Sequence, residues 1–368
     1  MILDGSLGVT FNDASLQPAA ASPYGLKNKI INGAMVIDQR NNGAAGTAAT
    51  NTNPYGVDRW SVYGDVSGKF TYQQNAGAVT PPAGFTNYFG MTSTSAYTVL
   101  SGGRQIVVQS TEGFNTYDLD FGKATAKTIT LSFWVYSSLT GTFGGSLQNY
   151  ANTRSYPFTY TISVANTWEY KTVTIAGDTS GTWVGASNAG SFQLNFSLGS
   201  GSTYSGTAGA WATANYASAT GATSVVGTNG ATFYITGVQL EQNTTATPFE
   251  RRMFNNELTN CQRYFAKLQN DGTGQIAISA GFQTSTTVAA FAINFPVTMR
   301  AEPTVTVSNL QASDNVNFSN AWTLGSVDMG YNTGYLNGTI SAAGAQFRPS
   351  FLFTANNTSG FLTLSAEL

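Results

Sequence analysis

Residues 129–136 read ITLSFWVY, and strict alternation of this kind fixes an extended chain path. Ile129, Leu131, Phe133 and Val135 fall on one side of a strand, Thr130, Ser132, Trp134 and Tyr136 on the other. The same style returns in QIVVQ (105–109), WEYKTVTI (168–175), SFQLNFSL (191–198) and TFYITGVQL (232–240), with Gly, Asn and Ser clusters between them. Short strands at regular spacing, without helical periodicity between them, predict an all-β protein built from antiparallel sandwiches of jelly-roll type. After residue 274, IAIS, VAAFAINF, TVTVSNL, SFLFTA and FLTLSAEL resume the pattern and predict a second, smaller β-sandwich. The stretch 199–230 is low in complexity and reads as a long loop.

Residues 253–268 (MFNNELTNCQRYFAKL) break the pattern. Leu258, Cys261, Phe265 and Leu268 recur at three- and four-residue spacing, Asn255 or Asn256 offers a cap, and Glu257 falls in the first turn. A short helix is expected here, its stripe of Leu258, Cys261 and Phe265 packing near a symmetry axis or against the adjoining sandwich. The chain then divides into a hairpin leader and linker (1–26), a first β-domain (27–250), a connecting helix (251–268) and a second sandwich (269–368).

Composition removes whole classes of function. Charged residues make up 9% of the chain and the net charge is −2, so the basic footprint of a nucleic-acid binder is missing. There is no histidine, which excludes Ser-His-Asp and Cys-His catalysis and every His-ligated metal site. Cys261 is the single cysteine; it forms no intrachain disulfide and reads as a small buried apolar residue. No apolar run reaches the ~18 residues of a membrane helix, and MILDGSLGVTF carries Asp4 where a signal peptide needs positive charge. A chain made in a cytoplasm without a secretion signal, yet surfaced like a protein that works outside, fits a particle released by lysis.

Paired carboxylates offer the one route to catalysis left open. Asp118 and Asp120 sit two apart in YDLDF and are expected on one side of a strand, where they could serve glycoside hydrolysis, hold a cation or face solvent. The solvated or structural reading is preferred, and neither a metal nor a cofactor is expected.

Several segments, in order, resemble phage tail-fibre and minor tail proteins. LDGSLGVTFNDASLQ (3–17) is similar to their leader, departing from it at Ala14, where Gly is usual. NKIINGAMVIDQR (28–40) with GVDRW (56–60) resembles the opening of a jelly-roll module akin to carbohydrate-binding domains, and GVQLE (237–241) with ATPFER (246–251) resembles its closing strand. ELTNCQRYF (257–265), FPVTMRAEPTVT (295–306) and the final SAEL complete the likeness. The resemblance implies a homotrimeric protein on the virion surface, usually in the tail, and with histidine absent no enzymatic activity is expected. The leader would meet other virion proteins; a host-surface glycan as ligand is the expectation drawn from aromatic residues in turn-rich sequence. A head-fibre, capsid-decoration or baseplate role without receptor binding is the alternative, and a polysaccharide depolymerase a minor one.

Aromatic rings in turn-rich sequence are the candidates for stacking on sugar. Trp183, Tyr204, Trp211 and Tyr216 lie among Gly and Ser in the first domain, and Trp322, Tyr331 and Tyr335 in the second. The competing reading for each is trimer packing or loop anchoring.

Overall fold

The computed structural model describes residues 27–270, 274–314, 320–341, 344–354 and 359–368, with three short strands before them. Those strands, β1 (Ile2–Asp4), β2 (Gly8–Thr10) and β3 (Leu16–Gln17), form their own antiparallel sheet with β2 central. The expected hairpin leader therefore has a third strand; the linker at 22–25 lies outside the described residues.

The first large unit opens with β4 (Gly46–Thr47), β5 (Tyr55–Val57), β6 (Trp60–Gly64), β7 (Phe70–Gln74) and β8 (Phe89–Ser93). Next come β9 (Arg104–Glu112), β10 (Ile129–Ser137), β11 (Gly141–Asn149), β12 (Ser155–Ile162) and β13 (Glu169–Ile175). It ends with β14 (Gly190–Ser200), the two-residue β15 (Ser205–Gly206) and β16 (Ser218–Ala219), and β17 (Thr232–Glu241). Two six-stranded antiparallel sheets result, in orders β13-β10-β17-β8-β7-β4 and β12-β11-β14-β9-β6-β5. The alternation in β10 sends Ile129, Leu131, Phe133 and Val135 inward, where they meet Phe192, Leu194, Phe196 and Leu198 of β14, all fully buried in one core. The Phe133 ring lies 5.0 Å from the rings of both Phe196 and Tyr160, edge-on. Each such side chain contributes roughly 1.5–3 kcal/mol through burial, so this interleaving is what holds the two sheets together.

The low-complexity stretch is not a free loop. It lies on the outer face of the second sheet, where Ala217 is buried against Ile106 and Val108. Beneath it, Gln148 Nε2 donates to Asn215 Oδ1 at 2.8 Å, and Asn195 Nδ2 donates to Gln148 Oε1 at 2.7 Å and Ser146 Oγ at 3.1 Å. Buried chain of this kind is tolerated only where its polar groups find partners. The Asn and Gln side chains of the sheet supply them.

The helix is shorter than its apolar stripe suggests. α1 spans Phe254–Gln262, with Met253 at its N-cap position and no side-chain cap, and Glu257 in the first turn. Residues 265–269 are instead a strand, β18 (Phe265–Gln269), so Phe265 and Leu268 belong to no helical face. The reason is tertiary. The backbone from Phe265 to Gln269 is taken up by a ladder with the last strand of the chain, pairing Phe265 with Ser365 and Leu268 with Leu362. Spacings of three residues in so short a stretch do not distinguish helix from strand, and the available partner decides.

The remaining strands are β19 (Ala277–Gln283), β20 (Val288–Asn294), β21 (Thr304–Ser308), β22 (Leu310–Ser313) and β23 (Asn320–Met329). β24 (Thr333–Ile340), β25 (Pro349–Thr354) and β26 (Phe361–Ser365) close the chain. Six of them close into a barrel, β19-β20-β24-β23-β22-β25, and β18-β26-β21 form a three-stranded sheet beside it. Their shared core contains Phe291, Ile293, Trp322, Leu336, Leu352, Leu362 and Leu364.

Arginines join the two units. Arg59, 2% exposed and held at φ +70°, donates to the Glu367 carboxylate and to Ser110 O at 2.5 Å, with its guanidinium 3.5 Å above the Tyr264 ring. Arg40 pairs with the same carboxylate at 2.9 Å and lies 3.6 Å over the Phe265 ring. Arg263 clasps Glu112 at 2.8 and 3.0 Å, and Arg300 donates to the carbonyls of Asn188, Ala366 and Glu367. Asp58, bonded by Gln39 and 3.5 Å from Arg40, is likewise buried, so the charges of the DRW motif are internal.

Two outcomes follow from this junction. Glu367→Ala strands two buried guanidiniums and is expected to cost about 3–5 kcal/mol in denaturant unfolding, with hydrogen exchange rising first in β18 and β26. A loss below 1 kcal/mol would show that the clamp is dispensable. The Tyr264 hydroxyl is pushed up to about 12 from 10.0, by burial against the opposing pull of Arg59. Its neutral form favours the folded chain, so its contribution is complete below pH 10 and is lost as pH rises towards 12. Between those limits Tyr264→Phe should remove roughly 2–3 kcal/mol of alkaline destabilisation, read as a flatter unfolding free energy against pH.

Candidate ligand-binding cleft

Strand β9 ends at Glu112, and the chain turns through two successive 3-10 turns, Gly113–Asn115 and Tyr117–Leu119. The sequence enforces the tightness. A Cβ at Gly113 would sit 2.0 Å from the carbonyl oxygen of Gly185, and Asp120 ends the second turn at φ +56°. Leu119 is fully buried beneath the turns, and the Thr116 hydroxyl bonds Ser191 Oγ at 2.8 Å. With these two pointing down, Phe114 and Tyr117 point out, 51% and 55% exposed. Two apolar rings are thereby displayed on a rigid support.

They form one wall of a cleft of about 670 Å³, a volume suited to a small ligand. The other walls come from Asn28 and Lys29, from Gln242 and Arg252 after β17, and from Asn260 and Arg263 of the α1 region. Lys29 Nζ donates to Asp118 Oδ2 at 2.6 Å. Arg252 is spent on Glu250 and Glu257 at 2.9 and 3.3 Å and on the carbonyls of Asn28 and Ile30, and Arg263 on Glu112. The side-chain amides of Gln242 and Asn260 make no hydrogen bond among the described residues and stay free for a ligand. Lys127 is half-buried and has no carboxylate partner among those residues.

The ridge at Tyr117 separates this cleft from a smaller hollow of about 180 Å³ that reaches Phe121 and Trp183. Here the structure brings together two of the residues singled out from sequence. Trp183 and Trp211 meet at 5.5 Å, with Phe121 4.9 and 5.8 Å from them and Tyr156 5.4 Å from Trp211. Both indoles are half-buried, and their N–H groups are engaged: Trp183 Nε1 with Asp178 Oδ2 and Ser180 O at 3.2 Å, Trp211 Nε1 with Ala176 O at 2.7 Å. Tyr204 stacks on the Arg104 guanidinium at 4.5 Å, opposite Tyr63, and Tyr216 packs over Gly206.

In the second unit, Trp322 is 4% exposed in the barrel core, 5.8 Å from the Phe291 ring, with Nε1 donating to Ala289 O at 3.3 Å. It cannot stack on a ligand. The pleat of β23 turns it inward, and Gly338, where a Cβ would sit 2.5 Å from the indole, leaves room for it. Tyr331 and Tyr335 are exposed on the barrel, Tyr335 directly across the ladder from Asp328. On the helix, Cys261 is fully buried with Ile31, Ile37 and Tyr264, and Leu258 packs beside them, so this face seats against the first sandwich. Burial pushes the Cys261 thiol well up, away from reactivity.

Asp118 and Asp120 are not on a strand. The 3-10 turn carries Asp118 towards Lys29, while Asp120 pairs with Lys123 at 2.7 Å and bonds Thr125. The Lys123 hydrogen bond, foremost, holds the Asp120 carboxyl below its usual range, with the charge of Lys127 adding to it. Glu241 is bonded by Gln239 Nε2 and by Thr247, at 2.7–2.8 Å. Among the described residues no three acidic or sulfur ligands converge as a metal site would need. Sequence reasoning missed Phe114, Tyr117 and Lys127. Their signal was the run GFNTYDLDFG, in which turn formers separate rings three residues apart.

No protein-family model matches the chain, and neither does any curated protein. Solved structures give distant likenesses. The enzymatically active domain of tailspike protein 4 of bacteriophage CBA120 is 13% identical over 60% of this chain, with a TM-score of 0.32, and the chain spans 22% of that protein. A putative sugar binding protein from Bacteroides thetaiotaomicron is 13% identical, covering 59% of this chain and 100% of that one at a TM-score of 0.34. The family 11 carbohydrate-binding module of a Clostridium thermocellum cellulase is 17% identical, covering 56% and 99% at 0.25.

Proposed function

We propose that this chain is a structural component of a bacteriophage virion, a trimeric tail fibre that holds a host-surface glycan without cleaving it. The observation that carries the glycan part is the pairing of Phe114 and Tyr117, exposed on a rigid double turn, with the free amides of Gln242 and Asn260 across one cleft. Rings cover the apolar face of a pyranose, and amides bond its hydroxyls. The absence of histidine and the separate engagement of Asp118 and Asp120 by Lys29 and Lys123 support binding over hydrolysis. The ordered motifs of the leader, the jelly-roll opening and the closing strand support a virion role, with the leader meeting the rest of the particle.

Self-association has its own support on the barrel. Phe282 of β19 sits across the ladder from Pro349, and Phe351 of β25 across from Ala280, so these side chains share the outer face. Phe282, Phe347 and Phe351 are 45%, 73% and 48% exposed, an apolar patch of roughly 300–400 Å² in rings alone. Asp328 is the single charged residue in the six barrel strands. A face whose one neighbouring cation, Arg348, is paired with Asp314 meets another copy of itself with little repulsion, and another copy is at hand wherever the chain folds.

Tyr117→Ala and Phe114→Ala should each weaken oligosaccharide binding about tenfold, the ~1–2 kcal/mol of an anchoring ring, measured by calorimetry on hits from a bacterial glycan array. Tyr335→Ala on the barrel should leave it unchanged. Retention of no glycan by the wild type would end the adhesin reading, and release of reducing ends would make the chain a depolymerase. In sedimentation velocity the wild type should run as a trimer and Phe351→Glu as smaller species; a monomeric wild type at tens of micromolar would refute the assembly.

A further inference from the structure

We infer that the cleft selects an acidic saccharide, one bearing a carboxylate or phosphate group, and that Lys127 is the residue meeting the anion. The inference rests on the glycan reading above and names its ligand class. Charge is scarce in this chain, 9% of residues, yet six of the thirteen residues lining the cleft are charged, four of them cations. Such concentration in a protein that otherwise solvates itself with amides and hydroxyls asks for a reason.

Most of that charge is internally matched. Lys29 is tied to Asp118, Arg252 to Glu250 and Glu257, and Arg263 to Glu112. These pairs shape the walls and leave no surplus. Lys127 differs. Its backbone N–H is fixed to Leu119 O at 2.8 Å, so the residue is anchored to the second 3-10 turn, the one that displays Tyr117. Its ammonium has no carboxylate within ion-pair distance among the described residues. The carboxylate that feels its charge, Asp120, is already bonded by Lys123 and Thr125. A half-buried, unmatched ammonium beside an exposed ring offers an anionic substituent a partner partly screened from water, where a charge-assisted contact is stronger than on an open surface. A neutral sugar would use the rings and amides and gain nothing from Lys127.

The test uses the full chain and three probes of equal length: cellotetraose as the neutral glycan, tetragalacturonate for carboxylate, and a phosphate-substituted tetrasaccharide. At low salt the wild type should bind at least one acidic probe about tenfold or more tightly than the neutral one, and the preference should shrink as salt is raised. Whichever acidic probe gains identifies the anion. Lys127→Gln should abolish the preference while leaving neutral binding unchanged, and Lys127→Arg should retain it. Equal binding of all three probes overturns the inference and leaves the glycan reading standing. A Lys127→Gln variant that folds normally, by circular dichroism and melting temperature, but loses neutral and acidic binding alike makes Lys127 a packing residue and also overturns it. If no probe and no array glycan binds, both readings fall.

Discussion

A single carboxylate near the end of the chain, that of Glu367, organises the contact between the two halves of this protein. It is gripped by Arg59 and Arg40, whose guanidiniums lie flat on Tyr264 and Phe265. An ion pair drawn out of water gains little unless its remaining hydrogen-bonding capacity is also met. Here Ser110 O and the two ring faces supply part of what water would have given, while Arg59 Nε and Arg40 Nη1 make no hydrogen bond among the described residues. Since Glu367 follows just after β26, which pairs with β18, the last strand, the end of the helix and the first sandwich are fixed by one arrangement. The cleft inherits its geometry from it, because Glu112 and Arg263, which line the cleft, belong to the same junction.

Strand content was legible in the sequence because a two-residue period has one physical meaning wherever a face is buried. The ITLSFWVY segment shows this directly: Ile129, Leu131, Phe133 and Val135 entered the core between the sheets, and Thr130, Ser132, Trp134 and Tyr136 fell on the opposite face. The helix was legible at its start and not at its end. Glu257 and the Leu258–Cys261 spacing are local signals, whereas the conversion of residues 265–269 to strand depends on a partner almost a hundred residues away. Trp322 failed for a related reason. Turn-rich surroundings suggested exposure, but inward or outward is set by register in the barrel, and register is not local.

The cleft could not be read beforehand because its walls come from segments near residues 28, 112–127, 242 and 252–263, with no motif in common. Its rings were hidden by an assumption about YDLDF, which alternates like a strand and folds as a 3-10 turn. What overrode the alternation was steric: Gly113 lets the backbone pass close to Gly185, and Leu119 has a core position to fill. The charges of GVDRW, Asp58 and Arg59, carry no local signal of burial, yet the fold places both inside. In a chain with so few ionic groups, each is more valuable inside, where it can specify a contact, than outside.

The closed barrel has a bearing on colloidal behaviour. Chains this poor in charge are prone to join through unpaired strand edges, the route to fibrils and precipitates. The barrel has no such edge, since each of its six strands is hydrogen-bonded on both sides. Of the four strands at which the sandwich sheets end, β13 carries Glu169 and Lys171, two of the chain's few charges, and β12 carries Pro157. The barrel can therefore stand crowded beside other copies of itself and still associate only through side-chain faces, so that order there is set by shape and not by backbone stickiness.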